Sequence, residues 1–269
     1  MTTPISALTL IRDGWQRGLA ALAPNLPWLG LLALAGGAYS ASLHMEGSLL
    51  APMAFAMFVF AAGIRFSCGL YSQLIGARTG GLLPLAHANS AVYLAFVFIG
   101  FFVGFFLLIL PGILIEAQGK YELGADAAPE LVRQAFLDML PTAYGAVYLL
   151  IAAVGAWILS FFALRLTLFG AATFDQGKAV VFQTFPWTRG HLRTLGLAAL
   201  ATHAAPFAAG LAANAGLRAV LPETMAAHFI EGVAGILLFT PFLLAGHGMA
   251  AAAHGALKPE EAPASSVPG

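Results

Sequence analysis

Apolar runs long enough to approach a bilayer's width recur along the chain, at residues 26–44, 49–68, 90–112, 143–164, 195–217 and 232–253. A spanning helix needs about 20 predominantly apolar residues. The pattern therefore predicts an all-α fold, a polytopic integral membrane helix bundle of about six transmembrane helices. Behind the first run, "AYSAS" offers small residues of the kind a signal peptidase cleaves. About 25 residues precede that run, however, whereas a signal peptide places its apolar region close behind a short basic start. The run reads as a span.

Three stretches between the spans carry a helical period without the length to cross. In "TTPISALTLIRDGWQRGLAAL", Leu8, Ile11, Trp15, Leu19 and Leu22 form one apolar stripe, and Arg12, Asp13, Gln16 and Arg17 fill the rest. Thr3 suits the cap and Pro4 the first helical position. Residues 1–25 are thus expected to be an N-terminal interfacial amphipathic helix, anchored by Trp15, Arg12 and Arg17. It either orients the first span or binds a partner or lipid. Residues 117–141 contain "PELVRQAFLDML", where Pro129 starts a short helix with Leu131, Val132, Phe136 and Met139 toward the bilayer or the bundle. In "GKAVVFQTFPWTRGHLRTLG", Lys178 to Trp187 cover about 15 Å as a helix, half of a bilayer core of about 30 Å. This stretch is expected to lie on the membrane with Val181, Phe182 and Phe185 on one face and Trp187 as its anchor. Thr188 would then cap the following span.

Charge orients the bundle. The chain is 60% hydrophobic and 9% charged, against about a quarter charged in soluble domains. Arg12, Arg17, Arg65, Arg78, Arg165, Lys178, Arg189, Arg193 and Lys258 fall on one side, and only Lys120, Arg133 and Arg218 on the other. Most acids take the opposite side. Cytoplasmic flanks carry the excess of Lys and Arg, so both termini are expected in the cytoplasm. Residues 26–257 make the transmembrane domain and 258–269 a disordered cytoplasmic tail. Zero net charge gives no reason to expect a nucleic-acid partner, and the lone Cys68 excludes an internal disulfide.

Arg65-Phe66-Ser67 and Arg165-Leu166-Thr167 close the second and fourth spans alike. Each leads through a short basic connection, one of two cytoplasmic elbow segments, into a span running back. This suggests two parallel hairpin units, with chance as the competing account of so short a match. The stretch "RLTLFGAATFDQGKAVVFQTFPWTRGHLRTLG" resembles the YciC-like six-helix bacterial inner-membrane proteins, and the related membrane domain found with some glycerophosphodiester phosphodiesterases. Arg165, Gly177 and Thr188-Arg189-Gly190-His191 carry the resemblance. Phe182 and Pro186 replace basic residues of that family's short helix. The resemblance implies a six-helix fold in a bacterial inner membrane and brings no phosphodiesterase site.

Candidate chemistry is sparse. Arg65, Arg165, Arg189 and Arg193 are the candidate ligand-binding residues, for a lipid phosphate or another anion. Alternatively, Arg65 and Arg165 snorkel to water or pair with Asp13 or Asp175. His247 and His254 lie about 10.5 Å apart along one helix, too far to share a zinc ion with bonds of about 2 Å. His203 is expected to bond across helices, to Asn214 or a neighbour of Thr202. No metal or cofactor site and no catalytic set is expected. Gly100 and Gly104 form a GxxxG step for packing within the bundle or between copies. The functional expectation is a non-enzymatic scaffold or accessory protein that engages anionic lipid head groups or a membrane-protein partner, a second copy included. A transporter of a small anionic molecule or lipid is the alternative.

Overall fold

A computed structural model describes residues 5–45, 47, 49–76, 80–124 and 126–259. Thr3, Pro4, Glu46, Arg78 and the tail from Glu260 lie outside the described residues. The described chain is α-helical, with α1 (Ala7–Ala20), α2 (Leu26–Ser42), α3 (Leu50–Ile75), α4 (Leu82–Gln118), α5 (Pro129–Met139) and α6 (Ala143–Leu166). It continues as α7 (Phe169–Gln176), α8 (Leu192–Ala199), a π-helical segment (Leu200–Ala204), α9 (Ala205–Arg218) and α10 (Met225–Leu257). Five helical stretches are long and apolar enough to cross a membrane: Leu50–Ile75, Leu82–Gln118, Ala143–Gln176, Leu192–Arg218 and Met225–Leu257. The pair α1 and Ala23–Ser42, bent by 51°, makes a sixth if it is one broken span.

The chain divides into two compact units, residues 1–90 with 164–269, and residues 91–163. In the first, α10 is the axis. Its 33 residues rise about 50 Å, and α1, α2 and α9 all pack along it. Glycines set the distance. A methyl on Gly14 would stand 3.1 Å from Met249 Cβ, and one on Gly248 would stand 2.9 Å from the Gly14 carbonyl carbon. Farther along, a methyl on Gly36 would stand 2.6 Å from Ile236 Cγ1, and one on Gly232 2.7 Å from Ser40 Cβ. Small residues let helix backbones approach closely, which is the main source of cohesion where lipid tails are as apolar as the side chains.

Hence α1 has two apolar aspects. Leu8 and Leu19 of the expected stripe are exposed and Ile11, Trp15 and Leu22 half-buried, while Leu10, Gly14 and Gly18 are buried. Ser6 caps the helix, accepting from the Thr9 amide at 3.0 Å. Its far end is closed by Asn25, whose Nδ2 donates to the Ala21 carbonyl at 2.8 Å. Arg17 donates to the Leu74 carbonyl at 2.6 Å, satisfying an acceptor in the last turn of α3. Gly76 then ends α3 in the left-handed region at φ 70°, where a Cβ would be strained.

The second unit contains α5, most of α4 and most of α6. Pro129 opens α5 as expected, but Ala135 and Met139 are its buried residues, packing with Ile115, while Leu131 and Val132 are exposed. Asp138 accepts from Lys120, from Tyr121 at 2.7 Å and from Gln134 at 2.8 Å. Gly100 and Gly104 depart from the expected packing within the bundle: a methyl on either meets nothing within 4 Å.

Two outcomes test this packing. Gly248→Leu is expected to lower stability by about 1 to 3 kcal/mol, the usual cost of overpacking, while Gly255→Leu, which meets no neighbour, leaves the melting temperature unchanged in the same detergent. The hydrogen bond from Lys120, then that from Tyr121, holds the Asp138 carboxyl below the usual carboxylate range, and the Asp138 bond raises Lys120. The Asp138 contribution is therefore full above its ordinary value and lost as pH falls through the lowered one. Amide exchange in α5 should stay slow across neutral pH and quicken only below about pH 4; quickening near pH 6 would assign the anchor to another group.

Candidate functional site

The elbow between α6 and α8 is built on Arg165, in the last turn of α6. The α-helix stops at Leu166, resumes at Phe169 and ends at Gly177, which takes φ 65°. Thr173 then fastens the return: its Oγ1 donates to the Val180 carbonyl at 3.1 Å and accepts from the Val180 amide at 3.0 Å. Beyond it, Arg165 Nη1 donates to the Phe185 carbonyl at 2.7 Å and to Thr188 Oγ1 at 3.2 Å, with its guanidinium 5.9 Å from the Phe185 ring centroid. Thr184 and Thr188 are fully buried, and their hydroxyls donate to the carbonyls of Val181 at 2.8 Å and Phe185 at 3.0 Å.

This geometry corrects the expected surface helix. Phe182–Thr184 is one 3-10 turn, followed by further turns through Gly190 at φ 85°. The hydroxyls of Thr184 and Thr188 and the Phe185 carbonyl are bonded within the stretch or to Arg165, and Pro186 has no amide to continue a helix. Thr188 does not cap α8 either. The N-cap position is His191, without a side-chain bond, because the Thr188 hydroxyl is already engaged. Trp187 packs with the buried cluster of Leu10, Leu168, Leu195 and Met249, and its ring lies 5.8 Å from that of His254.

The acids weighed as partners of the two arginines are held elsewhere. Asp175 meets His254 at 3.0 Å and Lys258 at 3.1 Å, and Asp13 meets Arg12 at 3.3 Å. Lys258, the first residue of the expected tail, is thereby tied to α7. Arg65 lies in α3 well before its end at Ile75, about 15 Å along the axis, because α3 runs past the expected limit of the span. Its guanidinium stacks 3.9 Å from the centroid of the Trp28 ring. Arg65 and Arg165 thus rest on different partners, Trp28 of α2 and the elbow. Lys178, Arg189 and Arg193 are exposed on the elbow and the first turn of α8. Among the described residues, no carboxylate pairs with these three cations.

One polar pair escaped the pattern reading. His247 Nδ1 lies 2.7 Å from the Leu243 carbonyl, so that nitrogen carries the proton, and Nε2 accepts from Ser67 Oγ at 2.9 Å. A hydroxyl aimed at an imidazole is half of a nucleophile's arrangement. Acyl transfer also needs donors for an oxyanion, and the Ser67 amide is spent inside α3. The pair clasps α3 to α10. His203 bonds the neighbouring Thr202 hydroxyl at 3.0 Å instead of a residue on another helix, and lies over Gly246, where a methyl would stand 2.9 Å from its Nε2. Among the described residues no group of three or more His, Cys, Asp or Glu is placed to hold a metal ion.

Compared with known proteins, the chain matches no family model, no curated protein and no solved structure.

Arg165→Gln tests the elbow. Bonds to a charged donor contribute about 1.5 to 3 kcal/mol, so the variant is expected to be cleaved by trypsin at Lys178 and Arg189 several-fold faster than the parent. Equal cleavage would show that the elbow holds without Arg165.

Proposed function

We propose that this chain is a non-enzymatic scaffold or accessory protein of a bacterial inner membrane, which engages anionic lipid head groups at the cytoplasmic leaflet. The observation that carries this reading is the placement of Lys178, Arg189 and Arg193. All three are exposed, and no carboxylate among the described residues pairs with them. They flank an elbow whose backbone is fixed by Arg165, so their positions are set before any lipid arrives. Each cation near an anionic surface contributes about 1 kcal/mol, and a fixed frame lowers the ordering cost of binding. The excess of Lys and Arg on this side supports a cytoplasmic orientation, and the resemblance of the elbow to YciC-like proteins supports the compartment.

The alternative, a carrier for a small anion, would use Arg65 or Arg165. Arg165 is taken up by the elbow and Arg65 by the face of Trp28, so the exposed cations favour the head-group reading.

The test is the triple variant Lys178→Gln, Arg189→Gln, Arg193→Gln, extracted gently beside the parent and examined by native mass spectrometry. Loss of three contacts of about 1 kcal/mol each is expected to cut retained phosphatidylglycerol at least tenfold and leave phosphatidylethanolamine unchanged. Equal phosphatidylglycerol on both proteins would overturn the reading. A stoichiometric protein partner lost from the variant in its place would assign the cations to that partner.

A further inference from the structure

The seam between α2 and α10 runs antiparallel in steps of four residues. Gly36 lies against Ile236 and Ser40 against Gly232, and the next step brings His44 against His228. Their imidazole rings stack there, with centroids 3.4 Å apart and planes within 5° of parallel. His44 lies just past the end of α2 and is exposed, whereas His228 is buried near the start of α10. The pair stands far from the elbow, since His228 precedes His254 by about 39 Å along the helix.

A face-to-face stack is not what two aromatic rings choose alone, because they prefer an offset or edge-to-face arrangement. The close approach of the two backbones imposes it. One charge suits the pair, since a cation over an aromatic face is attracted to it. Two charges do not, since like charges at this distance repel even in water.

The neighbouring acids decide which ring takes the single charge. His228 Nε2 lies 3.4 Å from Glu223 and Nδ1 3.7 Å from Glu231, whose other oxygen lies 3.6 Å from Arg218 Nε. A neutral imidazole has one N–H and one lone pair, so one of the carboxylates would face a lone pair. Only the charged ring presents a proton to both. His44 Nδ1 lies 3.1 Å from the Ser40 carbonyl, so that nitrogen carries the proton of a neutral ring. Among the described residues no carboxylate meets His44. Of the helices that pack beside the pair, α9 contributes only Arg218, and α3 carries no titratable group before Arg65.

We propose that His44 and His228 form an acid-sensitive clasp between the ends of α2 and α10, closed with the charge on His228 alone and opened when a second proton charges His44. Imidazoles change charge between about pH 8 and pH 5, whereas carboxylates keep theirs down to about pH 4.3. Acid in that window adds the repulsion without removing the charges of Glu223 and Glu231. The open form holds one more proton than the closed form, so the clasp loses stability as pH falls. This device is independent of the head groups proposed for the elbow.

Hydrogen–deuterium exchange on the full chain in nanodiscs, at pH 7.5 and pH 5.5, tests the clasp. Each rate is referred to the intrinsic amide rate at its own pH. In the parent, protection of residues 40–44 and 225–231 is expected to fall at least fivefold on acidification. His44→Phe keeps a ring over His228 that cannot charge, and its protection there should change less than twofold. His44→Gln, which is smaller and also uncharged, should likewise lack the response. His87→Phe removes an exposed imidazole of α4 and should behave as the parent does. Equal loss of protection in the parent and in both His44 variants would assign the acid response to other groups and overturn the clasp. A parent whose protection is unchanged or increased by acid would overturn it as well.

Discussion

Where α1 and α2 run beside α10, glycine brings backbone against backbone, and the first unit is organised by that approach. Gly14 and Gly18 meet the Leu244–Met249 stretch of α10 on one side of the bend, and Gly36 and Gly37 meet Phe229–Ile236 on the other. In a bilayer, helices gain little by hiding apolar surface from lipid tails that are equally apolar. Cohesion has to come from close packing and from polar bonds between helices. An unbroken helix from residue 7 to 42 would have one straight path. The break at residues 23–25, with Asn25 bonding back to Ala21 and fitting against Gly69, lets two separate glycine faces each find the same partner.

That arrangement fixes the other features in turn. With α1 against the C-terminal half of α10, Arg17 reaches the last turn of α3 and α1 packs against the π-helical segment. With α3 held beside α2, Arg65 lands on Trp28. With α7 and α10 in contact, Asp175 receives His254 and Lys258. None of these pairs is close in sequence, and each follows from where the glycines place α10.

The long elements were legible because hydropathy is a sum over many residues, and a sum survives local surprises. The expected runs all fall on helices, with limits that differ where the chain remains helical past its apolar stretch, as α3 does to Ile75. That α1 is a helix was legible for the same reason. Its glycine face was not, since glycine adds nothing to a hydrophobic period and only a partner's position gives it meaning. The elbow defeated the period in another way. Val181, Phe182 and Phe185 do have helical spacing, but the bonds that shape the segment run from hydroxyls and a guanidinium to carbonyls, with no repeat to read. Ser67 and His247 were both visible as residues, yet 180 positions separate them, and no local rule joins such a pair. At Gly100 and Gly104 a methyl meets nothing within the chain, which leaves packing between copies as the reading of that GxxxG step.

The energetics of Arg65 also explain why the exposed elbow, and not the bundle interior, is the place to seek binding. An arginine near the centre of a spanning helix costs about 2.5 to 3.5 kcal/mol on insertion scales. A desolvated cation over tryptophan recovers about 2 kcal/mol or more, so stacking on Trp28 offsets most of that cost and no anion is required to hold the charge. Several other polar groups of the spanning helices are settled internally, although Asn214 Oδ1 is buried without a hydrogen-bond partner among the described residues. Thr202 and Thr240 donate to carbonyls one turn back, at 2.9 and 3.0 Å, and His247 is used at both nitrogens. The two threonines bond within their own helices, and His247 with Ser67 joins α10 to α3. Lys178, Arg189 and Arg193 are exposed and no acid of the described chain pairs with them, and this is why the proposed head-group binding is assigned to them.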